Sequence, residues 1–498
     1  MDDLNNKSNN IPFIMPMDFE NLDLVAWRVE QGIPDANNPL LEPAMPWDAG
    51  GVFAHGTVLK DPIDNLWKAW QISASIATPF RPGTWRENRR ITYLESPDGT
   101  TWYRPNLQLF PWQDYEHTNI IMDIWSSYAS VNIDTNRDLP YEMFAFRDPD
   151  YPGASGEIPG LQLKEGASKH LYGLYRYQSE DGKKWTPVEG PIDLQTEDSC
   201  YIYRNEDKTY TAYHKTEIPA FPGGLAPYDI GDGGVRLITH RTSDDGSKWS
   251  DPPRLVMTPD WRDPSDTQFM EICPTKIAGG YVATATVYHN HTQHIDLQLA
   301  ASRDGINWWR PQRKAALPNP PLGEYGGGMI WPMRKPILDA GKMHVYYSGV
   351  ESIHGDMYNT EKSGPRNLKA QGEIINRQSS SLPDYGALCR ATWESDRLWA
   401  LLSAMGGPYP GTATTHKQKL GGKSIFVNTL TIKEGELRLE LLDESGKIIT
   451  GFSENECIPI QGDHKRIKVK WTERPIPDNA VKIRFILKRA LLYGFETN

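Results

Sequence analysis

Ser96-Pro97-Asp98-Gly99-Thr100-Thr101-Trp102 has the makings of a hairpin turn. Ser and Asp offer side-chain oxygens to the amides that follow. Gly is free to take the positive φ that closes the turn, and Trp opens the next strand. The pattern returns as Ser179-Glu180-Asp181-Gly182-Lys183-Lys184-Trp185, Ser243-Asp244-Asp245-Gly246-Ser247-Lys248-Trp249 and Ser302-Arg303-Asp304-Gly305-Ile306-Asn307-Trp308. The copies are 83, 64 and 59 residues apart. Each follows a strand-like stretch, such as Arg90-Ile91-Thr92-Tyr93-Leu94 or Leu297-Gln298-Leu299-Ala300-Ala301. One copy would be a turn; four at this spacing describe radial repetition of small antiparallel sheets, a β-propeller.

A degenerate fifth copy, Ser395-Asp396-Arg397-Leu398-Trp399, lacks the glycine. Five blades are expected, over 52–105, 119–190, 198–257, 269–317 and 329–404, with a polar insertion at 351–382 read as a loop over one rim. After Thr412 the pattern changes. Glu436-Leu437-Arg438-Leu439-Glu440-Leu441-Leu442 alternates charge with apolar residues, as a strand exposed on one face does, and 466–471 and 481–487 repeat the style. The expected fold class is all-β: an N-terminal extension over 1–45, a five-bladed β-propeller over 46–408 and a C-terminal β-sandwich over 409–498, with Gly406-Gly407-Pro408 as hinge.

Composition agrees. Of 498 residues, 23% are charged and the net charge is −11, which argues against phosphate-backbone binding, so no nucleic-acid partner is expected. No apolar run is long enough to span a membrane, and no membrane partner is expected. Trp 17, Tyr 23 and Phe 13 supply both core for packed sheets and flat rings for stacking on sugars. Cys200, Cys273, Cys389 and Cys457 fit no zinc or redox spacing and read as buried free thiols. The first ten residues are polar, without an apolar secretion segment. Location is left open: periplasmic or secreted if a signal has been removed, otherwise cytoplasmic. Oligomeric state is also left open.

A propeller gathers the first strand of every blade around a central funnel, where polar residues are costly to bury and therefore informative. Asp48 lies just before blade one. His117-Thr118-Asn119-Ile120-Ile121-Met122-Asp123 is read as opening blade two, Thr196-Glu197-Asp198-Ser199-Cys200 blade three, Met270-Glu271-Ile272-Cys273-Pro274 blade four and 328–334 blade five. Convergent carboxylates suit glycosidic bond cleavage. One acid protonates the leaving oxygen, a second carboxylate is nucleophile or base, and a third can orient substrate or raise the acid's pKa.

Glu271-Ile272-Cys273-Pro274, followed by Gly279-Gly280-Tyr281-Val282, resembles the Glu-Cys-Pro segment of the five-bladed propeller glycosidases of the invertase, levanase and arabinanase superfamily. The repeated turns are also a habit of that superfamily. The run 422–428, with Leu442-Asp443 and Gly451-Phe452-Ser453, resembles the sandwich appended to many bacterial invertase-like proteins. The resemblance implies a glycoside hydrolase with Glu271 as general acid, Asp48 as nucleophile or base and Asp198 as pKa modulator, and with Asp123 the main rival to Asp48. This chain departs from the family pattern by the inserted Ile272 and by lacking Asn-Asp-Pro-Asn-Gly at Asp48 and Arg-Asp-Pro at Asp198. Fructan or sucrose specificity is therefore not carried over.

Further funnel candidates for substrate binding are His55, His117, Arg147, His214, Trp331 and Arg334; either arginine could clamp a uronate or sulfate. Arg147-Asp148-Pro149 and Arg262-Asp263-Pro264 read as loop turns. His289, His291 and His294 have a spacing compatible with a metal in a rim loop, but no metal site is assigned. No cofactor is expected, although a structural cation in the channel is compatible with the fold. The expected partner is a carbohydrate. Two other functions use the same scaffold: a non-catalytic carbohydrate-binding propeller, and a glycoside phosphorylase, which would need a basic cluster beside the acid.

Overall fold

The computed structural model describes residues 11–48, 51–74, 89–112, 114–122, 126, 128–147, 173–192, 194, 199–219, 234–351, 353–354, 386–403, 409–472 and 475–498. It is an all-β propeller followed by a sandwich. In chain order, the N-terminal segment holds β1 (Phe19–Asp23), β2 (Val25–Val29) and β3 (Ile33–Pro34). The first blade is β4 (Gly51–Lys60), β5 (Trp67–Ala74), β6 (Arg89–Ser96) and β7 (Ile120–Met122). The second is β8 (Ala129–Ile133), β9 (Tyr141–Arg147), β10 (Gly173–Ser179) and β11 (Thr186–Ile192). The third is β12 (Cys200–Arg204), β13 (Tyr210–Pro219), β14 (Gly234–Ser243) and β15 (Arg254–Met257). Next come β16 (Thr267–Ile277), β17 (Gly280–His289) and β18 (His294–Ser302). A single parallel bridge, Ile295 to Met329, joins these to β19 (Met329–Pro332), which pairs with β21 (Lys342–Val350). β20 (Ile337–Asp339) and β22 (Ala387–Glu394) also pair with β21, and β3 pairs with β22 as the outermost strand.

The innermost strands close a ring. β4 lies against β8, β8 against β12, β16 against β13 and β14, β17 against β19, and β19 against β4. Side chains stitch the first three together. Thr57 Oγ1 donates to Ala129 O and accepts from Val131 N, and Ser130 Oγ donates to Ile202 O and accepts from Ile202 N. Each gap between blades is packed with apolar side chains: Trp70 and Ile91 with Val131 and Met143, Phe144 with Ile202 and Ala212, Ile238 with Ile272 and Ala283. Leu299 packs with Val345, and Tyr346 and Leu388 close onto Val58 and Trp67. Strands buried on both faces need not alternate, and every residue of β9 is buried.

The repeated turns share one geometry. In all four, the Ser hydroxyl accepts the Gly amide at 2.8–2.9 Å and the Asp carboxylate accepts the next two amides at 2.7–2.9 Å. The Gly φ values lie between 73° and 80°. The turns also latch the blades in order. Tyr346 OH donates to Gly99 O, Trp70 Nε1 to Gly182 O, and Tyr213 OH to Gly305 O, each from the second strand of the preceding blade. A methyl at Gly99 would stand 2.5 Å from the Tyr346 hydroxyl and 3.0 Å from Trp67, at φ +75°. Gly99→Ala should therefore lose about 2–3 kcal/mol of stability by clash and left-handed strain together. Denaturant titration checks this, and a loss under about 0.5 kcal/mol, the range of a neutral surface change, would contradict it.

Two expectations are corrected. The 117–123 stretch does not open blade two: Ile120–Met122 is the outer strand of the first blade, paired with β6, and β8 is the inner strand of the second. Trp399 does not belong to blade five. It opens β23 (Trp399–Ser403), which pairs with β2 and with β27 (Lys482–Thr497) in the C-terminal sheet. There the glycine-free turn serves another contact, as Arg397 Nε donates to Asn428 and Asp396 O accepts from Asn428 Nδ2. The strands of the expected N-terminal extension are likewise shared out: β3 goes to the propeller, and β1 and β2 to the C-terminal sheet.

That sheet contains β24 (Gly411–Thr415), β25 (Ile425–Leu442), β26 (Asp463–Lys468), β27, β23, β2 and β1. β25 and β27 pair along their length but slip in register between Thr431 and Glu436. On one side of the slip their neighbours are β26 and β23; on the other, β27 pairs with β24. The two long strands thus bend from one layer of a sandwich into the other. Leu437, Leu439, Phe485 and Leu487 fill its core with Leu401, Val427 and Leu492. All four cysteines are buried free thiols, as expected. No helix among the described residues is long and apolar enough to cross a membrane.

Candidate active site

β16 runs into the funnel from Thr267, and Glu271 follows a bulge between Phe269 and Glu271. Its carboxyl is enclosed. Tyr201 OH, from β12, donates to Glu271 Oε2 at 3.0 Å and also reaches Pro332 O at 3.3 Å. His55, from β4, brings Nδ1 against Glu271 Oε1, in ion-pair contact but without the angles of a hydrogen bond. Trp331, from β19, stands edge-on to the His55 ring with centroids 5.1 Å apart. Three innermost strands, β4, β12 and β16, thus meet at one carboxyl, and β19 stands behind them with Trp331 against His55 and Pro332 O against Tyr201. Burial and the neighbouring Glu271 carboxylate push the Tyr201 hydroxyl and the Cys273 thiol well above their ordinary pKa ranges.

The bulges explain why these side chains converge. In β4 the register slips between Phe53 and Thr57, and His55 sits there with φ +68°. Between Phe53 and Thr57 β4 advances four residues while β5 advances two, and in β16 two residues stand against one of β17; bulges beside active sites commonly re-aim side chains in this way. Beyond Trp331 the wall continues with His354, 6.5 Å away between ring centroids, and Tyr288, 4.9 Å from His354. Arg236 lies over Tyr288 at 5.6 Å and donates from Nη1 to Gln268 Oε1 at 2.9 Å.

The other candidates are placed as follows. Asp48 is buried in its own turn: Oδ1 accepts from Ala44 N at 2.9 Å and Met45 N at 2.7 Å, and Oδ2 from Arg104 Nε at 2.7 Å. Burial raises its pKa, against the pull of Arg104 and the two amides. These contacts make it an anchor of its loop. Arg334 crosses the channel, donating from Nη2 to Asn132 Oδ1 at 2.5 Å and from Nη1 to Val131 O, with its guanidinium 4.3 Å over Tyr203. It plugs the channel rather than offering an open clamp. Arg147 is buried over Tyr175 at 5.9 Å. His117 is exposed, its Nδ1 bonded to Asn106 and Gln108, on the approach to an outer strand. Asp123 and Asp198 lie outside the described residues, as do Asp148, the hinge at 406–408 and all but Glu351, Ile353 and His354 of the 351–382 insertion.

Asp263 of Arg262-Asp263-Pro264 is held by Arg310 and Arg313, a structural network as expected. His289 pairs with Asp296 at 2.8 Å. Among the described residues, no group of three or more His, Cys, Asp or Glu stands close enough to hold a metal ion.

No family model matches the chain, and no curated protein does. Solved structures resemble it in part. The β-1,2-mannobiose phosphorylase from Listeria innocua, in complex with β-1,2-mannobiose, is 13% identical over 74% of this chain and 98% of its own, with a TM-score of 0.45. A thermostable family-43 glycoside hydrolase is 14% identical over 72% and 91%, with a TM-score of 0.40. A family-43 arabinoxylan arabinofuranohydrolase from Bacillus subtilis, in complex with cellotetraose, is 10% identical over 93% and 97%, with a TM-score of 0.37. No activity passes from them to this chain.

Sequence reading missed Tyr201 and Arg104. Tyr201 sits in Cys200-Tyr201-Ile202-Tyr203, where nothing local marks it as a donor to a carboxylate 70 residues away. Glu351 and His354 were read only as part of a loop, yet both are buried next to the strand end at Val350.

His214 lies on β13, buried against Thr239 Oγ1, away from Glu271. Burial lowers its pKa from 6.5 to about 4, and burial does the same to His344. A histidine with a lowered folded pKa stays neutral while the unfolded chain takes up a proton. Stability should therefore fall as pH drops from 6.5 to 4, by about 3 kcal/mol for His214 alone. His289, raised by Asp296 against its burial, works in the opposite sense, but its gain comes above pH 6.5 and leaves the fall below that pH in place. Denaturation followed between pH 7 and 4 checks the slope. His214→Gln should flatten it, and an unchanged slope would assign the acid sensitivity elsewhere.

Proposed function

We propose that the chain is a glycoside hydrolase that cleaves a glycosidic bond of an oligo- or polysaccharide in the propeller funnel. The observation that carries this reading is the Glu271 carboxyl, held between Tyr201 and His55 with Trp331 alongside. A carboxyl group enclosed in a funnel can deliver a proton to a leaving oxygen. Glu271 is the proton source in this proposal. Asp48 is committed to Arg104 and its turn, so the role of nucleophile or base passes to its rival Asp123, and Asp198 keeps that of pKa modulator.

The test is release of reducing sugar from plant and algal polysaccharides and aryl glycosides, with and without added phosphate. Hydrolysis without phosphate supports the proposal and identifies the sugar. Sugar 1-phosphate formed only with phosphate would make the chain a phosphorylase. Glycan binding without turnover would make it a lectin-like propeller.

A further inference from the structure

We infer that the proton on Glu271 reaches the glycosidic oxygen through His55, which is the group that touches the substrate. This deepens the hydrolase reading and rests on it. Glu271 has no exposed side-chain surface, whereas the His55 side chain is 13% exposed. Oε2 accepts from the Tyr201 hydroxyl, and Oε1 lies against His55 Nδ1, a contact that becomes a hydrogen bond only when the two groups align. A substrate oxygen entering from solvent therefore meets the imidazole first. The second, independent observation is the backbone. His55 is a non-glycine residue at φ +68° within a strand, at a register slip, and such outliers persist where the surrounding structure holds them for a function.

The step balances as a tautomer relay. Glu271 Oε1 gives its proton to His55 Nδ1, and His55 Nε2–H gives its proton to the leaving oxygen as the glycosidic C–O bond breaks and the nucleophilic carboxylate of the proposed function bonds to the anomeric carbon. Glu271 is left as carboxylate and His55 as the other neutral tautomer. When water then displaces that carboxylate from the anomeric carbon, the proton it loses goes to His55 Nε2 and the Nδ1 proton goes back to Glu271. Among the described residues, the titratable groups around the pair are Tyr201 on β12, Cys273 on β16 and, beyond Trp331, His354. Arg334 lies deeper in the channel, committed to Val131 and Asn132.

Two variants test this on substrates with poor and good leaving groups. His55→Asn suits positive φ and keeps an amide near the Nδ1 position, but cannot pass a proton on. It should lower kcat for alkyl glycosides and oligosaccharides by about 10²–10⁴-fold, the usual worth of general acid catalysis, and leave dinitrophenyl glycosides within about 10-fold. His55→Gly should regain activity when imidazole is added, a response that a merely structural role would not show. Wild-type kcat in His55→Asn, or no imidazole rescue in a folded His55→Gly, would overturn the relay while the hydrolase reading stands. Full activity in Glu271→Gln would remove the proton source and with it both readings.

Discussion

Glu271→Gln is expected to lose about 10²–10⁴-fold in kcat on glycosides with poor leaving groups while the protein stays folded. The amide keeps the shape of the carboxyl. Its carbonyl oxygen can still accept from the Tyr201 hydroxyl, and its NH₂ can face His55 Nδ1. What it cannot do is release a proton. The loss should therefore follow the leaving group, large for an alkyl alcohol and small for a dinitrophenolate, which departs without protonation. Steady-state kinetics over a leaving-group series, with circular dichroism to confirm folding, make the measurement. A uniform loss across the series would point to disturbed binding rather than to a missing acid.

Lys68→Met should be strongly destabilising. Lys68 on β5 is 2.5 Å from Asp61 Oδ2, 2.6 Å from Asp64 and 3.1 Å from Tyr141 OH, and the Tyr141 hydroxyl donates to the same Asp61 oxygen at 2.5 Å. Tyr141 belongs to β9, so the cluster joins the first two blades. Burial works against the Lys68 charge, but its three oxygen partners outweigh that and hold the ammonium well above its ordinary range. Removing the lysine leaves the Asp61 carboxylate buried with only Tyr141 and the Ile63 amide. Breaking a buried pair in this way costs about 3–5 kcal/mol. Chemical denaturation would show the loss, and Lys68→Met with Asp61→Leu should recover part of it. A loss under about 1 kcal/mol, the size of a surface ion pair, would mean that the cluster is solvated.

The legible part of the fold was the part whose chemistry is local. Ser-x-Asp-Gly-x-x-Trp carries its own hydrogen bonds within a few residues, so each turn could be read alone and the repeat read from their spacing. Ile120-Ile121-Met122 misled because a short apolar run looks the same as an inner strand or an outer one. Only its pairing with β6 decides. β3, a two-residue strand that completes blade five from the N-terminus, has no sequence signature at all. The site divides in the same way. Glu271 could be picked from the residues around it, whereas its partner His55 lies 216 positions earlier and meets it only because the ring brings β4 to β16. The hold of Arg104, 56 residues later, on the Asp48 carboxylate was equally invisible in the sequence around Asp48.

The most direct measurement of the central claim is a structure of the Glu271→Gln variant with an uncleaved oligosaccharide chosen from the hydrolysis panel. The expected result places a glycosidic oxygen within hydrogen-bond reach of His55 or of the side chain at position 271, with a sugar ring against Trp331. A glycan held only on the sandwich, or on the outer blade faces with the funnel empty, would contradict it.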